Sequence, residues 1–399
     1  MNADVRNLKY LPWFGALRSF DALLPFYVLY TQQCGLTYFE IFTTQIVFSI
    51  ALLVLDIPLG IYSDLYGRKN SLLLGGFSSC IGLGLFVLWP VFWGFTFGEI
   101  ALALSFAAFS GADTALLFET TKRLHQEESY CEKEGRYQSY ARYSEGLSSV
   151  LGGLFASFSL GLPALMTWLF SFPRIALTML LHETKINNKQ VFSEILQYKI
   201  RDKIKTIYHY FIRSADHSTQ VRAILWILLY SGLISAMIIN TFWLLQVFLK
   251  TYHVNFFLIG LLCFIYHSTS GFVSSRASKV ISRTKGIVWL LPLLLQCMAI
   301  ILGVTNSAWF FPTFLIASIV FGIKMPFIYN KLHFLVEDHI RASILSFDSF
   351  CTRLLFSVIA LPLGWILDHS SLNVAFLFLT IPNLLVLWIA LKRKKFVSV

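Results

Sequence analysis

Charge is scarce in this chain. Only 13% of its 399 residues are Asp, Glu, Lys or Arg, against roughly 25% in a soluble domain. A soluble globular protein is excluded on that ground. A hydrophobic content of 56% and a mean hydropathy of +0.67 fit a polytopic membrane protein. Cysteine is sparse as well. The six, at positions 34, 80, 131, 263, 297 and 351, form no Cys-x-x-Cys pair and no Cys/His spacing of a metal site. They read as packing residues, and neither metal nor cofactor is expected. No Gly-x-x-x-x-Gly-Lys-Ser/Thr loop is present, so ATP-driven work by this chain is not expected. No clustered nucleophile and base point to an enzyme. The polar start, followed by a span carrying Arg18 and Asp21, does not resemble a cleavable signal peptide. A net charge of +11 has no soluble basic face to belong to, so it reads as membrane topology rather than nucleic-acid binding. The bilayer is the expected partner, and no obligate protein partner is indicated.

What is present is long apolar runs. Twelve of them are long enough to cross a bilayer as helices: 10–31, 37–62, 70–90, 94–119, 137–159, 161–181, 221–249, 255–275, 287–305, 308–331, 343–367 and 372–391. They are too long for barrel strands and do not alternate, so the fold class is an all-α membrane protein. With the N-terminus inside, 26 of the 32 basic residues fall in inside loops or tails, only Lys250 falls outside, and the rest lie within spans. That asymmetry places both termini in the cytoplasm. Residues 182–220 form the one long connector. Its apolar residues, among them Phe192, Ile195, Leu196, Ile200, Ile204 and Phe211, fall near helical spacing with Lys199, Lys203 and Lys205 between them, as in an amphipathic surface helix. It separates a bundle of six spans, 1–181, from a second, 221–399.

The loop after span 2 carries the most specific pattern. Gly60, Ser63, Asp64, Gly67, Arg68, Lys69 and Leu72 resemble the signature between helices 2 and 3 of the major facilitator superfamily, a large class of secondary transporters. Leu65 departs from it, since a basic residue is usual there. The Asp56-Ile-Pro58-Leu-Gly60 run, the Ser110-Gly111 stretch ending span 4 and the Arg341-Ala-Ser-Ile-Leu-Ser346 opening of span 11 are similar to segments of bacterial members. The resemblance implies two six-helix bundles related as parallel repeats, a cavity lined by helices 1, 4, 7 and 10, and alternating access. It further implies a small-molecule substrate and residence in the plasma (inner) membrane. In that reading Gly60 permits close helix approach. Asp64 faces the N-terminal end of helix 11 and Arg68 pairs with acids such as Glu119, a latch that breaks when the protein turns inward. Proton-coupled export of a small organic molecule is the first expectation. Uptake of a nutrient or metal chelate comes second, and a non-transporting sensor or scaffold is the alternative of another class.

Charges inside spans cost at least about 2.5–3.5 kcal/mol each, so they mark either ion pairs or function. Arg18 and Asp21, three apart near the middle of span 1, share a helix face. They read as an internal salt bridge or as a substrate or proton site. Asp56, Asp113 and Lys324, the last just before Pro326, which can break its helix, are further substrate or coupling candidates. Asp113 lies where Arg142 can reach it. Arg142 and Glu145 repeat the three-residue spacing and read as a structural pair. Arg174, in a span peripheral in the resembled family, reads as structural. Glu99 and Glu119 lie near span ends and are expected to reach water.

Overall fold

The computed structural model describes residues 3–183, 219–284, 287–305, 307–336 and 338–392, and it is helical throughout, with no strand among them. The surface helix expected within 182–220 falls almost wholly outside the described residues. Each predicted span has helix at its position. In chain order the elements are α1 (Ala3–Ser19), α2 (Tyr27–Gln33), α3 (Tyr38–Tyr66), α4 (Arg68–Leu88), α5 (Phe92–Phe109), α6 (Ala112–Arg123), α7 (Tyr130–Ala156) and α8 (Gly161–Leu180). There follow α9 (Thr219–Thr251), α10 (Phe256–Thr284), α11 (Leu291–Val304), α12 (Phe314–Leu335), α13 (Asp338–His369), α14 (Leu372–Phe378) and α15 (Thr380–Lys392).

Eight helices among the described residues are long and apolar enough to cross a membrane individually. The other four spans fall short for visible reasons. Spans 1 and 12 are each divided, as α1/α2 and α14/α15; span 5 is polar around Arg142 and Glu145; and α11 is only 14 residues long. Pro326 does not break its helix as expected, because α12 runs through it.

The chain divides into two compact units. One comprises Met1–Leu36, Val47–Lys199 and Asn255–Phe264, the other Thr37–Ile46, Ile200–Val254 and Ile265–Val399. Within the first, Leu11, Phe14, Leu72, Phe109, Leu116 and Tyr137 pack into one buried cluster, which joins spans 1, 3, 4 and 5. Within the second, Asp368 near the end of α13 caps α3. Its two carboxylate oxygens accept from the backbone N–H groups of Tyr38 and Phe39, each at 2.8 Å, at the positive end of that helix.

Two breaks shape the first unit. Span 1 stops at Ser19 and restarts through a 3-10 turn at Leu24–Phe26. Asp21 Oδ1 accepts from the N–H groups of Leu23 and Leu24 at 3.0 and 2.9 Å, a side-chain cap on the restarting segment. Thr167 of α8 accepts from Ala22 and Leu23, and Ser148 of α7 accepts from Asp21 N. Every one of these backbone donors therefore has an oxygen, as an irregular segment at membrane depth requires. Span 4 breaks at Ser110–Gly111. Gly111 has φ +73°, a left-handed conformation that glycine adopts at no steric cost, and α6 begins directly after it.

Candidate functional site

The two breaks open onto one cavity of about 480 Å³ inside the first unit, within the roughly 300–1,000 Å³ of small-molecule sites. Six charged side chains line it: Arg18, Asp21, Asp113, Arg142, Glu145 and Arg174. The sequence singles out all six, Arg18, Asp21 and Asp113 as substrate or coupling candidates and Arg142, Glu145 and Arg174 as structural. Asp56 is exposed on α3 and lies outside this cavity.

The pairing differs from the one expected. Arg18 does not pair with Asp21, because the helix ends between them and the shared face no longer exists. Arg18 instead forms an ion pair with Asp113 of α6, 95 positions away. Tyr137 of α7 donates its hydroxyl to the same carboxylate oxygen, and the other oxygen accepts from Thr114 N at 2.8 Å. Asp113 is only 2% exposed, and this set of donors is what allows a carboxylate to be buried. A side chain at position 15 would collide with the Tyr137 ring, 2.7 Å from the Cβ position, so Gly15 gives that ring its place. Arg142 is therefore not the partner of Asp113. It pairs with Glu145 at 2.9 Å, one turn along α7.

Arg174 departs furthest from expectation. It is 5% exposed, lines the cavity, and donates through Nη2 to Ser79 Oγ. Its guanidinium lies 5.7 Å from the centre of the Phe109 ring, and Arg18 lies 5.3 Å from the same ring, so both cations use one aromatic wall. The charge in span 6 was visible in the sequence, but nothing there showed which way it faced. Glu99 is buried at 4% exposure rather than reaching water.

The loop motif forms its own cluster. Arg68 Nη2 meets Asp64 at 2.8 Å, Nη1 donates to Ser63 Oγ at 3.0 Å, and Nε meets Glu119 at 3.4 Å. The Arg68–Glu119 contact is the one the sequence suggested. Glu183, which the sequence did not single out, accepts from the N–H groups of Arg68 and Lys69 at 3.1 and 2.9 Å and caps α4. Gly67 sits under that carboxylate with φ +103°, and a Cβ there would collide with Glu183 Oε2. A Cβ at Gly60 would meet nothing within 4 Å among the described residues, so the close helix approach expected there is not seen.

In the second unit Lys324 is 2% exposed and donates to Ser235 Oγ at 2.5 Å. The buried Asp348 lies within electrostatic reach of it. This places a cation of α12 against α9 and α13 inside that unit. Among the described residues no group of His, Cys, Asp and Glu could hold a metal ion.

The family model of the Major Facilitator Superfamily matches residues 14–360. Among curated proteins, none matches the sequence. The fold is similar to the crystal structure of the nucleoside transporter NupG, with a TM-score of 0.73 and 12% identity over 98% of this chain and 99% of that one. It is similar to the D-xylose–proton symporter, with a TM-score of 0.73 and 13% identity over 98% of each chain. It is also similar to a POT family transporter in complex with a thioalcohol-conjugated peptide, with a TM-score of 0.71 and 11% identity over 99% and 95%. Helix at each of the twelve expected spans among the described residues, the loop signature and a family match across most of its length show that this chain belongs to the Major Facilitator Superfamily.

Proposed function

We propose that this member of the superfamily is a secondary active transporter that moves a small organic molecule by alternating access, driven by protons. The observation that carries the reading is the cavity itself, where two spans break and six charged side chains converge. Broken helices beside buried charge are the usual construction of a transporter's substrate and ion sites. Direction has two readings. Export follows from the resemblance to compact bacterial relatives. Uptake is favoured by Arg174 and Asp21, an opposite pair of charges on one cavity with no ion-pair partner within 4 Å among the described residues, since such charges let a substrate and a proton bind together. The neighbours of known structure include a sugar–proton symporter, which suits that reading. The test is counterflow in proteoliposomes, with and without a pH gradient. A chain that moves no solute from a broad panel overturns the transport reading in favour of a sensor or scaffold.

The proposed location is the plasma (inner) membrane with both termini cytoplasmic, on the strength of 26 inside basic residues against Lys250 outside. Single cysteines at Lys69, Lys133 and Lys205 should react with impermeant thiol reagents only from the cytoplasmic face, and one at Lys250 only from outside. Outside labelling at Lys205 overturns the orientation.

The motif cluster is proposed as a gate latch at the cytoplasmic face. Arg68 gathers Ser63, Asp64 and Glu119 within one unit, and partly exposed pairs of this kind contribute only about 0–1 kcal/mol to folding each. Arg68→Ala and Asp64→Asn should therefore leave the yield of folded protein near wild type while lowering transport about tenfold. Cysteines on the cytoplasmic side should become more reactive. Unchanged accessibility with normal transport removes the latch.

A further inference from the structure

The charges lining the cavity in the first unit are three of each sign, and they are not evenly matched. Arg18 is held by Asp113, and Arg142 by Glu145. Arg174 is left. Among the described residues no carboxylate lies within 4 Å of it, Nη2 reaches only the Ser79 hydroxyl, and Nε has no hydrogen-bond partner. This is an arginine only 5% exposed, with Nε buried and unpaired on a side chain that lines the cavity.

A guanidinium stays charged and presents its donors as a rigid planar fork. Burying one with a donor unpaired is costly, and the acid acting on this one, Asp21, lies beyond ion-pair distance. The cavity does contain acids, but Asp113 and Glu145 are committed to other arginines and Asp21 Oδ1 is committed to the N–H groups of Leu23 and Leu24. The underpaired guanidinium on the cavity wall therefore fits an oxyanion brought by a ligand, because a carboxylate is the partner its fork is shaped to bind. The remaining wall describes the rest of the molecule. Leu83, Leu102, Phe106 and Phe109 line the same cavity and offer an apolar surface to an apolar body. The carboxylates of Asp21 and Glu145 oppose a second negative charge.

We infer that Arg174 is the docking point for the carboxylate of a small organic acid carrying one negative charge, whose apolar body lies against the Leu102, Phe106 and Phe109 wall. The assignment rests on the transport reading and narrows its substrate class. Ser79 positions the guanidinium, and Phe109 supports one face of it.

The test uses the full-length protein, purified in nanodiscs, and measures thermal unfolding with matched probes: benzoate, phenylacetate and hexanoate, their three amides, and inorganic phosphate. Ligands that bind the folded state raise its unfolding temperature by mass action. At least one monocarboxylate should raise the midpoint by several degrees, while its amide and phosphate leave it unchanged. Arg174→Gln should keep the ligand-free midpoint and weaken carboxylate binding roughly 100-fold, as expected when one partner of a buried charge pair is truncated. Arg174→Lys, which keeps the charge and loses the fork, should fall between them. If Arg174→Gln does not fold, phenylglyoxal modification of Arg174 in the wild type, read by mass spectrometry, replaces it: the acid should protect and the amide should not. Amides that match their acids, acids that shift nothing, an acid effect that survives Arg174→Gln, or modification without protection each overturn the assignment. Counterflow separates the two claims. A protein that carries amides or amines but no acid overturns the Arg174 assignment and leaves transport standing. One that binds acids through Arg174 and moves no solute keeps the site and overturns transport.

Discussion

Asp113→Ala is expected to abolish most folded protein. The substitution strands the Arg18 guanidinium against the Phe109 ring and leaves the buried Tyr137 hydroxyl without its acceptor. Removing one member of a buried ion pair costs about 3–5 kcal/mol, a large share of the roughly 5–15 kcal/mol that holds a domain folded. The accompanying loss at Tyr137 adds about 1–3 kcal/mol for an orphaned buried donor. Asp113→Asn keeps an oxygen for Tyr137 and should fall between wild type and Ala. The double variant Arg18→Met, Asp113→Leu removes both charges and should recover much of the fold, because apolar replacement of a whole buried pair is often neutral. Thermal unfolding and the monodisperse fraction on size exclusion measure the cycle, and a coupling of at least about 1 kcal/mol between the two sites is expected. An Asp113→Ala protein as stable as wild type would show that the pair does not hold spans 1 and 4 together.

This pairing also shows where sequence reasoning stops. The twelve spans were legible because a bilayer demands about 20 apolar residues per crossing, and that demand is read residue by residue. The break in span 1 was written there too, as Asp21 followed by Pro25, a cap and a residue with no N–H to give. A hydropathy run masks it, since the segment stays apolar through the break. The partner of Arg18 was not legible in the same way. Arg18 and Asp113 are 95 positions apart, and which helix faces meet depends on how α1 and α6 are rotated against each other. Spacing rules describe one helix, and they pointed to Asp21 because they took span 1 as continuous. They served well where the helix is unbroken: Arg142 and Glu145 pair as their spacing indicates. From the sequence Arg174 reads as structural because its span is peripheral in the resembled family, whereas its burial and its unpaired Nε come only from packing against Ser79 and Phe109. Glu183 lies just beyond span 6 and becomes a cap only once α4 is brought beside it.

Asp21→Asn is expected to fold and to lose accumulation driven by a pH gradient, while keeping substrate exchange. The fold survives because the cap needs only one acceptor oxygen. Asp21 Oδ1 receives Leu23 N and Leu24 N at 3.0 and 2.9 Å, and an Asn side chain supplies an oxygen there with equal or better capping preference. Asp21→Ala removes that oxygen and should cost about 0.5–2 kcal/mol, which separates the capping role from the charge. The charge is the part that matters for coupling. Asp113 and Glu145 each hold a guanidinium, so protonating either one strands an arginine. Asp21 has no cation within 4 Å among the described residues. The charged groups acting on it are Glu145 of α7 and Arg174 of α8, with Ser148 and Thr167 from the same two helices on the adjacent backbone. A carboxylate so placed can gain and lose a proton without breaking an ion pair. When it is neutral, the charge of Arg174 is left for the substrate anion, and the two binding events favour each other. Asn fixes the neutral state: binding and exchange persist, and the gradient no longer has a group to act on. Reconstituted Asp21→Asn, assayed with and without a pH gradient, decides the matter. Full gradient-driven transport would clear Asp21 of coupling and move the assignment to Asp56 on α3, a span acid of the first unit that is exposed outside this cavity.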